Sequence, residues 1–145
     1  MDPQTDPAKV VRALAAATSA HDLEALVACF ADDYRNETPV HPARGFRGAT
    51  QVRRNWAQLF AGIPDLTARV VASATAGDTV WSEWEMSGAR QDGTPHLMRG
   101  VIIFVIADGH VVSARFYLEP VDRSGTGVDE AVARTAGTSP AGILP

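Results

Sequence analysis

The chain has one cysteine, no apolar run approaching the thickness of a bilayer, and no block of basic residues. A lone Cys29 excludes an internal disulfide and cannot supply a thiolate zinc cluster. The longest apolar run, Val101 to Ala107, covers about a third of the roughly 20 residues that a membrane-spanning helix needs, so it reads as a buried strand. The opening Met1–Pro7 is polar and lacks an apolar signal core, and a cytoplasmic protein without a membrane partner is expected. With 13 Lys and Arg against 17 Asp and Glu, and the two signs interspersed, there is no basic field for nucleic acid. The four histidines and the acids show no recognised ligand spacing, no Gly-rich phosphate loop follows a strand, and no Ser or Cys sits in an elbow-like turn beside a base. No metal, no cofactor and no covalent nucleophile are therefore expected.

What remains is a globular composition, 145 residues with 46% apolar and 21% charged, enough for one domain with a real core. Val10, Val11, Leu14 and Ala17 recur at helical spacing behind Asp6 and Pro7, which predicts a first helix from Ala8 to Ser19. Leu23, Leu26, Val27 and Phe30 predict a second, with Asp22 as N-cap, broken at Ala31-Asp32-Asp33. Tyr34 to Thr38 alternates as a short strand, and Val40 to Gly48 is a Pro/Gly loop able to lie over a pocket mouth. Val52, Trp56, Leu59 and Ile63 share one face of a third helix that Gly62 and Pro64 end.

From Leu66 the period changes to two. Runs near Leu66–Thr75, Thr79–Arg90, His96–Ala107 and His110–Glu119 are separated by Gly and Asp turns, the pattern of an antiparallel meander. The fold class is α+β: a cone-shaped, curved antiparallel sheet with three N-terminal helices enclosing an apolar pocket. The domain spans residues 8–120. Residues 121–145, rich in Gly, Ser, Thr, Ala and Pro, read as a flexible C-terminal tail with a helical turn or two around Val128–Ala136.

The words Ala-His-Asp-Leu-Glu-Ala-Leu, Phe-Ala-Asp-Asp-Tyr, Phe-Arg-Gly-Ala-Thr-Gln-Val-Arg and Asp-Gly-His-Val-Val-Ser-Ala-Arg occur in this order. With that succession of elements, residues 8–120 resemble the nuclear transport factor 2-like superfamily in its SnoaL-like branch. The resemblance implies the fold and leaves the activity open, because relatives include ketosteroid isomerases, polyketide cyclases, limonene epoxide hydrolases, scytalone dehydratase and non-catalytic scaffolds.

Strand alternation sorts the side chains. His96, Met98, Gly100, Ile102 and Phe104 fall on one side of their strand, and Val80, Ser82, Trp84 and Met86 on one side of theirs; Val112, Ala114, Phe116 and Leu118 do the same in the last run. These apolar sets belong inside. The pocket candidates are Tyr34, Asn36, Thr38, Trp56, Trp84, Met86, His96, Met98, Ile102, Phe104, Phe116 and Leu118, a lining suited to a small hydrophobic organic ligand with one or two oxygens. The outer face gathers Trp81, Glu83, Glu85, Arg99, Arg115, Tyr117 and Glu119, which reads as cross-strand ion pairs or as a homodimer surface. Glu119, at a strand end, has the option of turning to the pocket rim. His41 and Arg44 are either surface residues or part of the lid.

Set against ketosteroid isomerase, the resemblance places the two expected acids near Thr38 and Ile102, where none stands. Glu37 becomes a base only if the strand slips by one residue. Set against limonene epoxide hydrolase, Tyr34-Arg-Asn36 resembles its Tyr-x-Asn pair, but its Arg and two Asp fall near Trp84, Met86 and Phe116. A pocket histidine acting as general acid and base is the feature implied by the polyketide cyclase and dehydratase relatives, and His96 supplies one. The expected chemistry is that His96 moves a proton while Tyr34 and Asn36 hold a carbonyl or enolate oxygen, in a cofactor-independent isomerase, cyclase or dehydratase. A binding module for a hydrophobic metabolite and an assembly protein with a filled core are the competing readings.

Overall fold

A computed structural model describes residues 6–139. Helix α1 (Pro7–Ala20) starts where Asp6 accepts a hydrogen bond from the Ala8 amide and ends at His21, which takes the left-handed conformation and reaches back to hydrogen-bond the Leu66 carbonyl through Nε2 at 2.8 Å. Helix α2 (Leu23–Ala28) is capped by Asp22 as expected but ends two residues earlier than expected. Phe30 is not its last apolar residue. It opens strand β1 (Phe30–Glu37) and pairs with Val111, the Val111 amide donating to the Cys29 carbonyl at 2.8 Å, so sheet pairing overrides the helical spacing there. A short 3₁₀ turn, Pro42–Arg44, precedes a two-residue strand β2 (Phe46–Arg47), and helix α3 (Ala49–Gly62) follows.

The meander forms as read: β3 (Thr67–Ala76), β4 (Thr79–Ala89), β5 (Pro95–Ala107) and β6 (His110–Pro120) are successive antiparallel neighbours. The six strands lie in the order β2-β1-β6-β5-β4-β3. One junction departs from the antiparallel expectation. β1 runs parallel to β6, so the sheet is mixed; helix α3 and strands β3 to β5 lie between the two in the chain, and a connection that long allows the parallel sense that a tight hairpin forbids.

Helices α1, α2 and α3 bury Val11, Leu14, Leu26 and Val52 against Val80, Trp84, Ile102 and Phe104 of the sheet, forming one core. The alternation of β4 holds as predicted, with Val80, Ser82, Trp84 and Met86 buried and Trp81 and Glu83 exposed. In β6 it changes phase once. Ser113 pairs with Val105 and Val111 with Ile106, which leaves Val112 as the extra residue of a bulge. Val111, not Val112, therefore enters the core, at 0% exposure.

On the outer face Glu85 lies 3.3 Å from Arg99 and 3.5 Å from Arg69, the cross-strand pairing expected there. Downstream of residue 120, helix α4 (Val128–Ala136) forms within the segment read as a tail and buries Ala133; residues 140–145 of that segment, like residues 1–5, lie outside the described ones. No helix among the described residues is long and apolar enough to cross a membrane.

Candidate functional site

Between the helices and the inner sheet face is a cavity of about 300 Å³. Strand β1 contributes Tyr34 and Asn36, with Thr38 just beyond; β4 contributes Met86, β5 His96 and Met98, and β6 Phe116 and Leu118. Trp56 closes it from α3. These nine residues were all expected from strand and helix periodicity.

Three others were expected and are not there. Trp84, Ile102 and Phe104 have the inward parity, but they sit deeper, at 0 to 1% exposure, as the packed floor beneath the helices. Parity selects a face, and depth along the strand then decides between cavity wall and solid core. Glu37 is also outside the cavity. Tyr34 and Asn36 are both buried on the inner side of β1, so the strand has not slipped, and Glu37 points outward to pair with Arg35 at 2.9 Å.

The lining not expected is Phe30, Phe46, Val52, Asn55, Leu59 and Leu66, and Arg44, read as either a surface residue or part of the lid, joins it. Val52 and Leu59 were assigned to the inward face of α3, and Asn55 lies between them on that face, a signal that was present in the spacing. Phe46 comes from a strand too short to show a period. Arg44 arrives because β2 pairs with β1, Phe46 opposite Asn36, which folds the loop back along the strand toward Thr38.

The loop has a second tie. His41 Nε2 is 2.8 Å from Glu119 Oε1, which ties the loop to the end of β6.

The polar groups inside are few and their senses are determined. The Tyr34 hydroxyl is buried and its one hydrogen bond is to Asn36 Oδ1, at 2.8 Å. Were the amide turned around, the phenolic hydrogen would be buried without an acceptor, so Tyr34 donates and the Asn36 NH₂ is left for the cavity. Burial pushes the Tyr34 phenol far above its usual range, which keeps that hydrogen in place. Tyr34 thus orients the Asn36 amide, and its own hydroxyl hydrogen is already engaged.

His96 stands opposite Gly88 on β4, where no side chain crowds the ring. Removal from water, and then the positive charge of Arg90, lower its pKa below the ordinary 6.5. It is a neutral imidazole near pH 7, able to accept a proton. No group of three or more His, Cys, Asp or Glu among the described residues could hold a metal ion.

Residues 11–114 match the SnoaL-like domain. Among solved structures, wild-type IdmH from Streptomyces antibioticus, a proposed polyketide cyclase, is 22% identical with a TM-score of 0.69, over 79% of this chain and 92% of that one. Rv0760c from Mycobacterium tuberculosis, in complex with estradiol-17β-hemisuccinate, is 20% identical with a TM-score of 0.66, over 76% and 91%. An LEH-like epoxide hydrolase from the same organism is 16% identical with a TM-score of 0.69, over 79% and 84%. At these identities the likeness is one of fold. No curated protein matches the sequence.

Proposed function

The chain belongs to the SnoaL-like domain family, and from that premise we propose that it is a cofactor-independent isomerase, cyclase or dehydratase acting on a small hydrophobic ketone or polyketide-like substrate. The observation that carries this reading is an apolar cavity in which a neutral His96 and the fixed N–H donors of Asn36 both face the interior. His96 takes a proton from the carbon beside the substrate carbonyl, and the released electron pair moves onto the carbonyl oxygen. Asn36 Nδ2 donates to that oxygen as its charge grows, and Tyr34 holds Asn36 in place. The imidazolium then returns its proton, to another carbon in an isomerisation or to a leaving hydroxyl in a dehydration.

The runner-up is a binding module that carries a hydrophobic metabolite without chemistry. It is favoured by the absence of any carboxylate in the lining among the described residues. Association of two copies through the outer sheet face accompanies either reading, supported by Trp81, Val101 and Tyr117 at 36 to 48% exposure.

A thermal-shift screen against steroids, terpenoids and aromatic polyketide ketones finds the ligand class, since a ligand at about a hundredfold its Kd adds roughly 2.7 kcal/mol. Hits are then assayed for turnover. The enzyme reading expects His96→Ala to keep the shift and lose turnover by about 10² to 10⁴-fold. Binding without turnover in the unaltered protein leaves the module, and turnover that survives the substitution removes His96 from the mechanism.

A further inference from the structure

The cavity is apolar over most of its wall, and beside the His96 ring and the Thr38 hydroxyl, its polar side chains of fixed sense are donors. Asn36 presents N–H, because Tyr34 occupies its oxygen. Asn55 does the same for an independent reason. Arg54 Nη1 donates to Gln51 Oε1 at 3.0 Å, which fixes the Gln51 amide so that its Nε2 donates to Asn55 Oδ1 at 2.7 Å. The Asn55 NH₂ is then the part left over. Arg44, the remaining group of fixed sense, is a permanent cation. It forms no ion pair among the described residues, whereas Arg35, Arg69 and Arg99 all do. No Asp or Glu stands in the lining among the described residues to balance it.

Arg44 is held where it is by more than chain connectivity. Its loop is bound to β1 through the Asn36 to Phe46 pairing, to the end of β6 through His41 and Glu119, and within itself by the Arg44 amide donating to the His41 carbonyl at 2.9 Å. Three donors and one uncompensated charge around an apolar space specify the complement: a hydrophobic body with an anionic acceptor at one end.

We infer that the cavity selects a ring-based apolar ligand bearing a single carboxylate, with the Arg44 guanidinium taking the charge and the Asn36 and Asn55 amides donating to ligand oxygens. This rests on the reading of the cavity as a ligand site. It goes further in naming the acid group and the residue that recognises it. The planar guanidinium suits a carboxylate because two parallel N–H groups meet two oxygens.

The test compares naphthalene-2-carboxylate and anthracene-2-carboxylate with their methyl esters by titration calorimetry at pH 7.5, on the full chain. The acids are expected to bind about tenfold or more tightly than the esters, the usual scale for a charge-assisted pair, with the margin shrinking as salt is raised. Arg44 is exposed, so Arg44→Gln leaves the core untouched. That variant should bring acid and ester to equal affinity, Arg44→Lys should keep part of the margin, and Arg47→Gln, exposed on the neighbouring strand, should keep all of it. Equal binding of acid and ester by the unaltered protein, or a margin that persists in Arg44→Gln, overturns the acid preference while the ligand site stands. Failure of acids and esters alike to bind overturns both.

Discussion

Trp81 and Trp84 lie on one strand and face opposite ways. Trp84 is 1% exposed, its indole N–H donating at 2.8 Å to Ser82 Oγ, which itself donates to the Ile102 carbonyl at 2.6 Å. Trp81 is 48% exposed. Around Trp84 each polar atom has a partner, and among the described residues no buried side-chain nitrogen or oxygen lacks one. Opposite Trp81 on the neighbouring strands stand Ala74 and Ile103, with the exposed Glu83 two residues along its own strand. The inner face is under steric and hydrogen-bond constraint, and the outer face under little beyond solubility and association.

The sharpest way to break this contrast is to add a methyl group where the inner face has none. Gly100 sits between Trp84 and Leu118 in register, with φ of 153°, and a Cβ there would come within 2.0 Å of the Tyr117 carbonyl oxygen and 2.8 Å of the Leu118 Cα. Both obstacles are backbone and cannot swing aside. Gly100→Ala is expected to cost on the order of 4 kcal/mol or more, read as loss of the cooperative urea transition. A normal transition would mean that the two strands can part there.

The tryptophan pair gives the next effect. Trp84→Ala should lose about 3 to 5 kcal/mol in chemical denaturation, from a large vacated volume. Trp81→Ala should stay within about 0.5 kcal/mol for the isolated subunit, and a larger loss that grows with protein concentration would place Trp81 in an interface between copies.

The smallest effect is electrostatic and belongs to the cavity. His96 has a folded-state pKa below the 6.5 of the unfolded chain, so between the two values the unfolded state binds more protons. Stability should therefore fall gently as pH drops through 6.5 and level off below the folded value, and His96→Gln should remove that component. A component of opposite slope would mean that the ring is held as a cation.

The periodic parts of the chain were legible in the sequence, and the irregular ones were not. Four strands with clean two-residue alternation and turns of Gly and Asp could be placed to within a residue or two, and with them Met86, His96, Met98, Phe116 and Leu118 on the cavity wall. Phe30 was misplaced because its distance from Leu23 satisfies a helix, and only long-range pairing to Val111 decides otherwise. Val112 was misplaced because a bulge leaves no local mark when both candidates are valine. Arg44 and Phe46 reach the cavity through a two-residue strand, and a segment that short has no period to read. Asn55 was overlooked for its polarity, although its position on the helix was the right one.

The parallel junction between β1 and β6 also has a meaning in time. Strands β3 to β6 are joined by short turns and can zip in sequence, each pairing close along the chain. β1 must instead find a partner from which almost the whole domain separates it, and closure entropy defers such pairings until there is a surface to receive them. The meander is thus the template and β1 the late arrival. Since Tyr34 and Asn36 travel on β1, the polar corner of the cavity is completed at the end of folding, an order that pulsed hydrogen exchange would read directly as protection in β4 and β5 ahead of β1.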